Sequence, residues 1–102
     1  MSCGKQVITT DYSAHTEFTN WDNAHLISID KLEPAHDEPY FYGQGEWASI
    51  RETELKLIAK DMRMIHEQKQ SGKLCVNTAG IETAKQFSWQ RTAKTLMEAI
   101  YG

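Results

Sequence analysis

Val7-Ile8-Thr9-Thr10 and Leu26-Ile27-Ser28-Ile29 are the two stretches on which the fold turns. The first is β-branched throughout, and three of the four residues in the second are apolar. Such side chains suit a pleated strand. Runs this apolar predict burial on both faces, as in a parallel sheet, rather than one wet face. Gly4, just ahead of the first run, suits the end of a preceding helix. Between the runs, Asp11 to His25 is rich in Asp, Ser, Asn and Thr and predicts a loop with one helical turn around Glu17.

Moving outward, Lys31 to Pro39 breaks the pattern with Pro34, Glu33, Asp37 and Glu38. Tyr40-Phe41-Tyr42-Gly43-Gln44-Gly45-Glu46-Trp47 then sets four aromatic rings around two glycines. A solvated loop rarely carries so many rings, so this one is expected to lie against a surface. Its length for a compact domain hints at function or at a missing neighbour. From Ser49 the signal is helical. Ser49-Ile50-Arg51-Glu52 matches a capping box. Leu55, Ile58, Met62 and Ile65 recur at helical spacing, and Ser71-Gly72 ends the element. A second helical region spans about Thr78 to Tyr101, interrupted at Ser88, a new N-cap. Beyond it Trp89, Ala93, Leu96, Met97 and Ile100 line one face. Strand, loop, strand, helix, helix is the order of an α/β fold with parallel strands. Two strands do not make an independently stable sheet, so the pattern asks for further strands.

The 102 residues suffice for one small domain, 40% hydrophobic and 25% charged. A net charge of −3 leaves no basic footprint for nucleic acid or anionic lipid. No apolar run approaches the ~18 residues of a membrane helix, and Met1 opens no leader-like segment. Cys3 and Cys75 fit no paired metal-ligand spacing and read as reduced thiols of a soluble, cytoplasmic protein.

The opening Met1-Ser2-Cys3-Gly4-Lys5-Gln6-Val7-Ile8-Thr9-Thr10-Asp11-Tyr12-Ser13-Ala14-His15-Thr16-Glu17-Phe18 resembles a segment of the retaining glycosyltransferases of GT-B architecture (glycosyl transferases group 1). There a Glu-Ala-Met-Ala-Cys-Gly-x-Pro-Val-Ile run leads into a strand and a glycine-containing loop ending in Glu. Phe87-Ser88-Trp89-Gln90-Arg91-Thr92-Ala93 is similar to the F-S-W-x-x-x-A near the C-terminus of the same enzymes. Trp47-Ala48, followed by a helix containing Met62-Arg63, resembles an element between them. The three likenesses occur in family order and reach from residue 1 to about 100. Gln6 stands where proline is usual and Ala14 where glycine is usual. The resemblance implies the C-terminal part of a nucleotide-sugar-binding Rossmann-like domain, a partial one. The family's paired glutamates, its phosphate-neutralising Arg and Lys, and its acceptor domain would then lie upstream of Met1. The implied activity is transfer of a sugar from a nucleotide-sugar donor, which the chain alone would not perform.

In an open α/β sheet ligands bind at the carboxyl ends of the strands. Thr10, Ser13, His15 and Glu17 are therefore the donor-cleft candidates. Their hydroxyls and backbone N–H groups would contact donor, and Glu17 would orient a loop or a sugar hydroxyl. The alternative stays open: Ser13 and Thr16 cap a short helix while Glu17 is solvated. Asp11 reads as a turn former. His15, His25 and His36, with Glu17 and Asp37, match no zinc spacing, so neither metal nor cofactor is expected. His66 reads as a surface or boundary residue, and Cys3 has no local base to activate it. Trp89 reads as core, Trp47 as a pin holding the aromatic loop to the sheet, and Trp21 as exposed. A non-catalytic interaction module is the other reading, since apolar strands and the ring-rich loop seek partners, a second copy of the chain among them. A free-standing dinucleotide binder is the weakest, because no G-x-G-x-x-G occurs.

Overall fold

A computed structural model describes residues 1–102 as a mixed α/β chain. Strand β1 (Ile8–Thr10) and strand β2 (His25–Ile27) pair in parallel, with Thr9 opposite Leu26. The ladder continues past both ends: His25 N–H donates to Val7 O and Asp11 N–H to Ile27 O, each at 2.8 Å. This register sets β2 one residue earlier than its apolar run suggests and leaves Ser28 and Ile29 outside it. Leu26 and Ile27 are buried, whereas β1 is only half-buried. Double-sided burial therefore holds for one strand of the pair and not for the other.

Residues 32–48 are not a loop. They form an antiparallel hairpin, β3 (Leu32–Asp37) and β4 (Phe41–Ala48), in a sheet of its own. Pro34 opposes Glu46 and His36 opposes Tyr42, so β4 carries a bulge between those pairs. Gly43 and Gly45 occupy the bulge at φ of 91° and 83°, a region side chains resist. Two glycines that read as loop residues are thus what lets this strand bend while staying paired. The rings do not lie against a surface: Tyr40, Phe41 and Tyr42 are exposed. Trp47 pins nothing to the parallel pair; it packs edge-on against Phe41, and its Nε1–H donates to Glu33.

Helix α1 (Glu52–Gln70) begins later than the Ser49 capping box predicts. Its N-cap is Arg51, whose backbone N–H donates to Glu54 Oε2 at 2.9 Å. The reciprocal reach of an acid three residues on is the same device, displaced by two residues. The helix ends at Ser71 with Gly72 at φ 70°, as the sequence predicts. Helix α2 (Thr78–Gln86) starts from Asn77, and helix α3 (Trp89–Tyr101) from Ser88, whose Oγ accepts Arg91 N–H. Trp89 is not core: it is 87% exposed, and Leu96, Met97 and Ile100 are exposed with it. The stripe is real, but no other element packs on it. Trp21 is exposed as expected.

Only 11 of the 102 residues are buried, and just four of those are hydrophobic. The radius of gyration is 17.3 Å, against about 13 Å for a compact chain of this length. Buried amides do the joining instead. Asn77 Oδ1 accepts Gly80 N–H, and its Nδ2 donates to Lys5 O and Asn23 O. Asn23 in turn donates to Phe18 O and Thr83 Oγ1. Gly4 closes this knot at φ 68°, with its carbonyl accepting Asn77 N–H. A Cβ there would stand 2.6 Å from Val76 Cγ1, so glycine is needed for the approach as well as for the turn. No helix is long and apolar enough to cross a membrane.

Candidate functional site

The loop that leaves the carboxyl end of β1 is fixed by its own short contacts. Asp11 pairs with Ile27 through its backbone and so holds the loop's root against β2. Ser13 follows at φ 68° and ψ −157°, a conformation close to glycine-only for an L residue and costing on the order of 1–3 kcal/mol. It precedes a 3-10 turn, Ala14–Glu17. The helical turn expected around Glu17 is therefore present. Ser13 O accepts from Thr16 Oγ1 at 2.7 Å, whereas the Ser13 hydroxyl caps nothing.

Of the four expected site residues, the structure brings Thr10 and His15 into contact. The His15 Nε2 bonds the carbonyl of Thr10 and stands 3.2 Å from Thr10 Oγ1. A carbonyl only accepts, so Nε2 is the donor of this bond. Ser13 lies between them in sequence, exposed. Glu17 is exposed and joins none of these contacts. Thus Thr10 and His15 are joined by contact, while Ser13 and Glu17 stand exposed on the same loop and bond neither of them.

Thr10 also belongs to a groove of about 790 Å³ between β1 and α1. Ile8 and Ile27 face Ile58, Met62 and Ile65 across it, which accounts for most of the stripe predicted on α1. Leu55, the fourth member, does not line the groove, and it and Met62 are both exposed. His66 and Lys69 add the groove's basic side chains, so His66 sits at a boundary as its position on the stripe suggests.

Two contacts that the sequence reading omits frame this end. Tyr12 Oη donates to Glu46 O at 3.1 Å and ties the loop to the hairpin. Arg51 bridges Asp30 at 2.7 Å and Glu54 at 2.6 Å, fixing the start of α1 to the chain leaving β2. The hydrogen bond from Arg51 outweighs the desolvation of Glu54 and holds its carboxyl down at about 2, while the same bond raises the guanidinium further. The three-residue spacing of Arg51 and Glu54 was the available signal for this pair. For Tyr12 there was none, because its partner is a backbone carbonyl.

Cys3 and Cys75 are exposed and unbridged. The arrangement offers hydroxyls, an imidazole ring and strained backbone at the end of a parallel pair, beside an apolar groove with one lysine. That set can hold a polar ligand; among the loop residues it supplies no fixed positive charge. Compared with protein-family models, with curated proteins and with solved structures, the chain has no match in any of the three.

Proposed function

We propose that the chain is the C-terminal part of the donor-binding domain of a retaining GT-B glycosyltransferase. In this reading it is a partial Rossmann-like domain that takes part in holding a nucleotide sugar. The observation that carries the reading is the direction of the strands. β1 and β2 run parallel, and the loop bearing Thr10, Ser13 and His15 leaves the carboxyl end of β1, the edge at which open parallel sheets bind ligands. The cysteine-glycine opening, the Trp47-Ala48 element and the Phe87-Ser88-Trp89 motif support it from the sequence. The thin core supports it too, since a half-domain leaves apolar faces uncovered.

In this role the Ser13 hydroxyl and the loop's N–H groups meet the donor, and His15 braces Thr10 from behind. A leaving nucleotide diphosphate must be neutralised, and Thr10, Ser13, His15 and Glu17 include no fixed cation. Transfer by the chain alone is accordingly not expected, whereas weak donor contact at the loop is. The test is an amide spectrum of the 102-residue chain titrated with UDP-glucose and GDP-mannose, beside a transfer assay. Shifts centred on Thr10–Glu17 without turnover are the expected result. Turnover by the chain alone, or shifts confined to other elements, overturns the reading.

A second reading, an interaction module without catalysis, is favoured by one observation: the apolar stripe of α3 has no covering element. A second copy of the chain is its simplest partner. Sedimentation velocity decides it. A monomer across the accessible concentration range removes the self-association.

A further inference from the structure

We propose that the β3–β4 hairpin is a carbohydrate-binding arm whose exposed rings form a stacking platform for a neutral oligosaccharide. Assigning that oligosaccharide as the acceptor rests on the transferase reading above; the binding site itself does not.

Position is the first argument. The hairpin is inserted between the carboxyl end of β2 and the start of α1, so it leaves the parallel pair at the edge where the Thr10 loop leaves β1. The Tyr12–Glu46 hydrogen bond holds the two together. An insertion at that edge stands where ligands of parallel sheets are met.

The rings are the second. Tyr40 is 78% exposed and Tyr42 57%, with Phe41 between them at 47%. Phe41 and Tyr42 are braced without being covered: Phe41 meets Trp47 edge-to-face with centroids 6.0 Å apart, and Tyr42 meets His36 at 6.5 Å. Two rigid side chains with few torsions present large apolar faces at low entropic cost. A sugar ring is complementary to such a face, because its C–H side is apolar while its hydroxyls project from the rim and seek acceptors.

Charge chooses among ligands. Residues 32–50 contain Glu33, Asp37, Glu38 and Glu46 and no lysine or arginine. No ion pair engages any of these four carboxylates, so a nucleotide diphosphate or other polyanion is repelled. Neutral hydroxyls, by contrast, donate to carboxylates readily. A peptide adding as a strand fits poorly. Pro34 removes an N–H from β3, and the glycine bulge breaks the ladder of β4.

The experiment records amide spectra and intrinsic fluorescence of the 102-residue chain with maltohexaose, cellohexaose and mannohexaose in turn. At least one is expected to shift Tyr40–Trp47 saturably. Tyr40→Ala and Tyr42→Ala are each expected to weaken that binding by about tenfold, the worth of one stacked ring. Tyr42→Phe, which keeps the ring, should stay within about threefold. Retained cross-strand contacts of Leu32 with Ala48 and of Asp37 with Phe41 report that the hairpin of each variant is folded. Silence with all three sugars, or affinity indifferent to Tyr40→Ala and Tyr42→Ala, overturns the proposal. So does a deca-arginine peptide that shifts the same residues more strongly than any sugar, which would mark a protein-docking surface. Sugar shifts at Tyr40–Trp47 without nucleotide-sugar shifts at Thr10–Glu17 sustain the arm and sink the donor reading; the converse sinks the arm alone.

Discussion

The junction of β1, β2 and α2 and the two projecting elements, the hairpin and α3, are built on opposite principles. At the junction, residues distant in sequence are joined by buried amides. Asn77 bonds Lys5 O, Asn23 O and Gly80 N–H, and Asn23 bonds Phe18 O and Thr83. No buried side-chain polar atom there or elsewhere lacks a partner. The hairpin and α3 rest mainly on near neighbours: a ladder, a bulge, caps and ring contacts inside one element. The difference teaches where tertiary specificity resides in this chain. A satisfied polar network fixes geometry at little apolar area, and it is correspondingly costly to break. The arms can offer their apolar faces because almost nothing else depends on them.

The largest effect should come from breaking the knot. Asn77→Ala removes the α2 cap, a buried hydrogen bond to Asn23 O and a part-buried one to Lys5 O at once, which should cost about 3 kcal/mol. Against a total of 5–15 kcal/mol typical of domains, that is a large fraction. Urea unfolding followed by circular dichroism measures it. A loss below about 1 kcal/mol would mean that the amides are incidental and that the groove's apolar contacts hold the two halves.

A smaller effect is expected at Arg51–Glu54, because Arg51 is one-third exposed and can turn to water when its partner is lost. Its signature is pH. The Glu54 carboxyl titrates at about 2 in the folded chain, against an ordinary 4.5. A folded value below the unfolded one stabilises fully above the unfolded value and is lost as pH falls through the folded value. The contribution should therefore be complete above about pH 4.5 and gone near pH 2. Thermal unfolding midpoints across that window should fall less steeply in Glu54→Gln than in the parent chain. Parallel profiles would show that the ion pair carries no net stability.

The same contrast explains what the sequence could and could not disclose. Ile8–Thr10 and Leu26–Ile27 were legible as strands because β-branching and apolar density act locally, and Ser88 and Gly72 because caps are local too. The hairpin hid behind Gly43 and Gly45. Their positive φ keeps β4 paired through a bulge, but in sequence two glycines a few residues after Pro39 signal a turn. Trp89 misled for the reverse reason. Helical spacing places it on an apolar face, and spacing carries no information on whether anything covers that face. At the candidate site, strand direction alone put Thr10, Ser13 and His15 at the carboxyl end of β1 and on the loop that leaves it. Glu17, read from the same motif, lies on the far end of the 3-10 turn and joins none of their contacts. Asn23 and Asn77, which do most to hold the fold, looked like ordinary loop residues. An amide bridging segments 54 positions apart leaves no periodic trace.

The smallest effect on stability is expected from the ring that the helical pattern most strongly placed inside. Trp89 is 87% exposed at the first turn of α3, and the cap at Ser88 does not require its side chain. A large aromatic in a core costs about 3–5 kcal/mol when cut to alanine, whereas a surface residue costs within about 0.5. Trp89→Ala should therefore leave the urea midpoint of the monomer where it is, while Ser88→Ala, which removes a cap and no apolar contact, should cost about 1 kcal/mol of α3 helicity. Cap above ring is the order expected of an arm held by local terms; ring above cap is the order expected of a packed helix. If Trp89→Ala proves the costlier change in dilute monomer, α3 belongs with the junction, and the division between knot and arms fails at that element. If its cost appears only as protein concentration rises, the stripe is covered by a second copy, and the exposure of α3 in the single chain is the exposure of an interface.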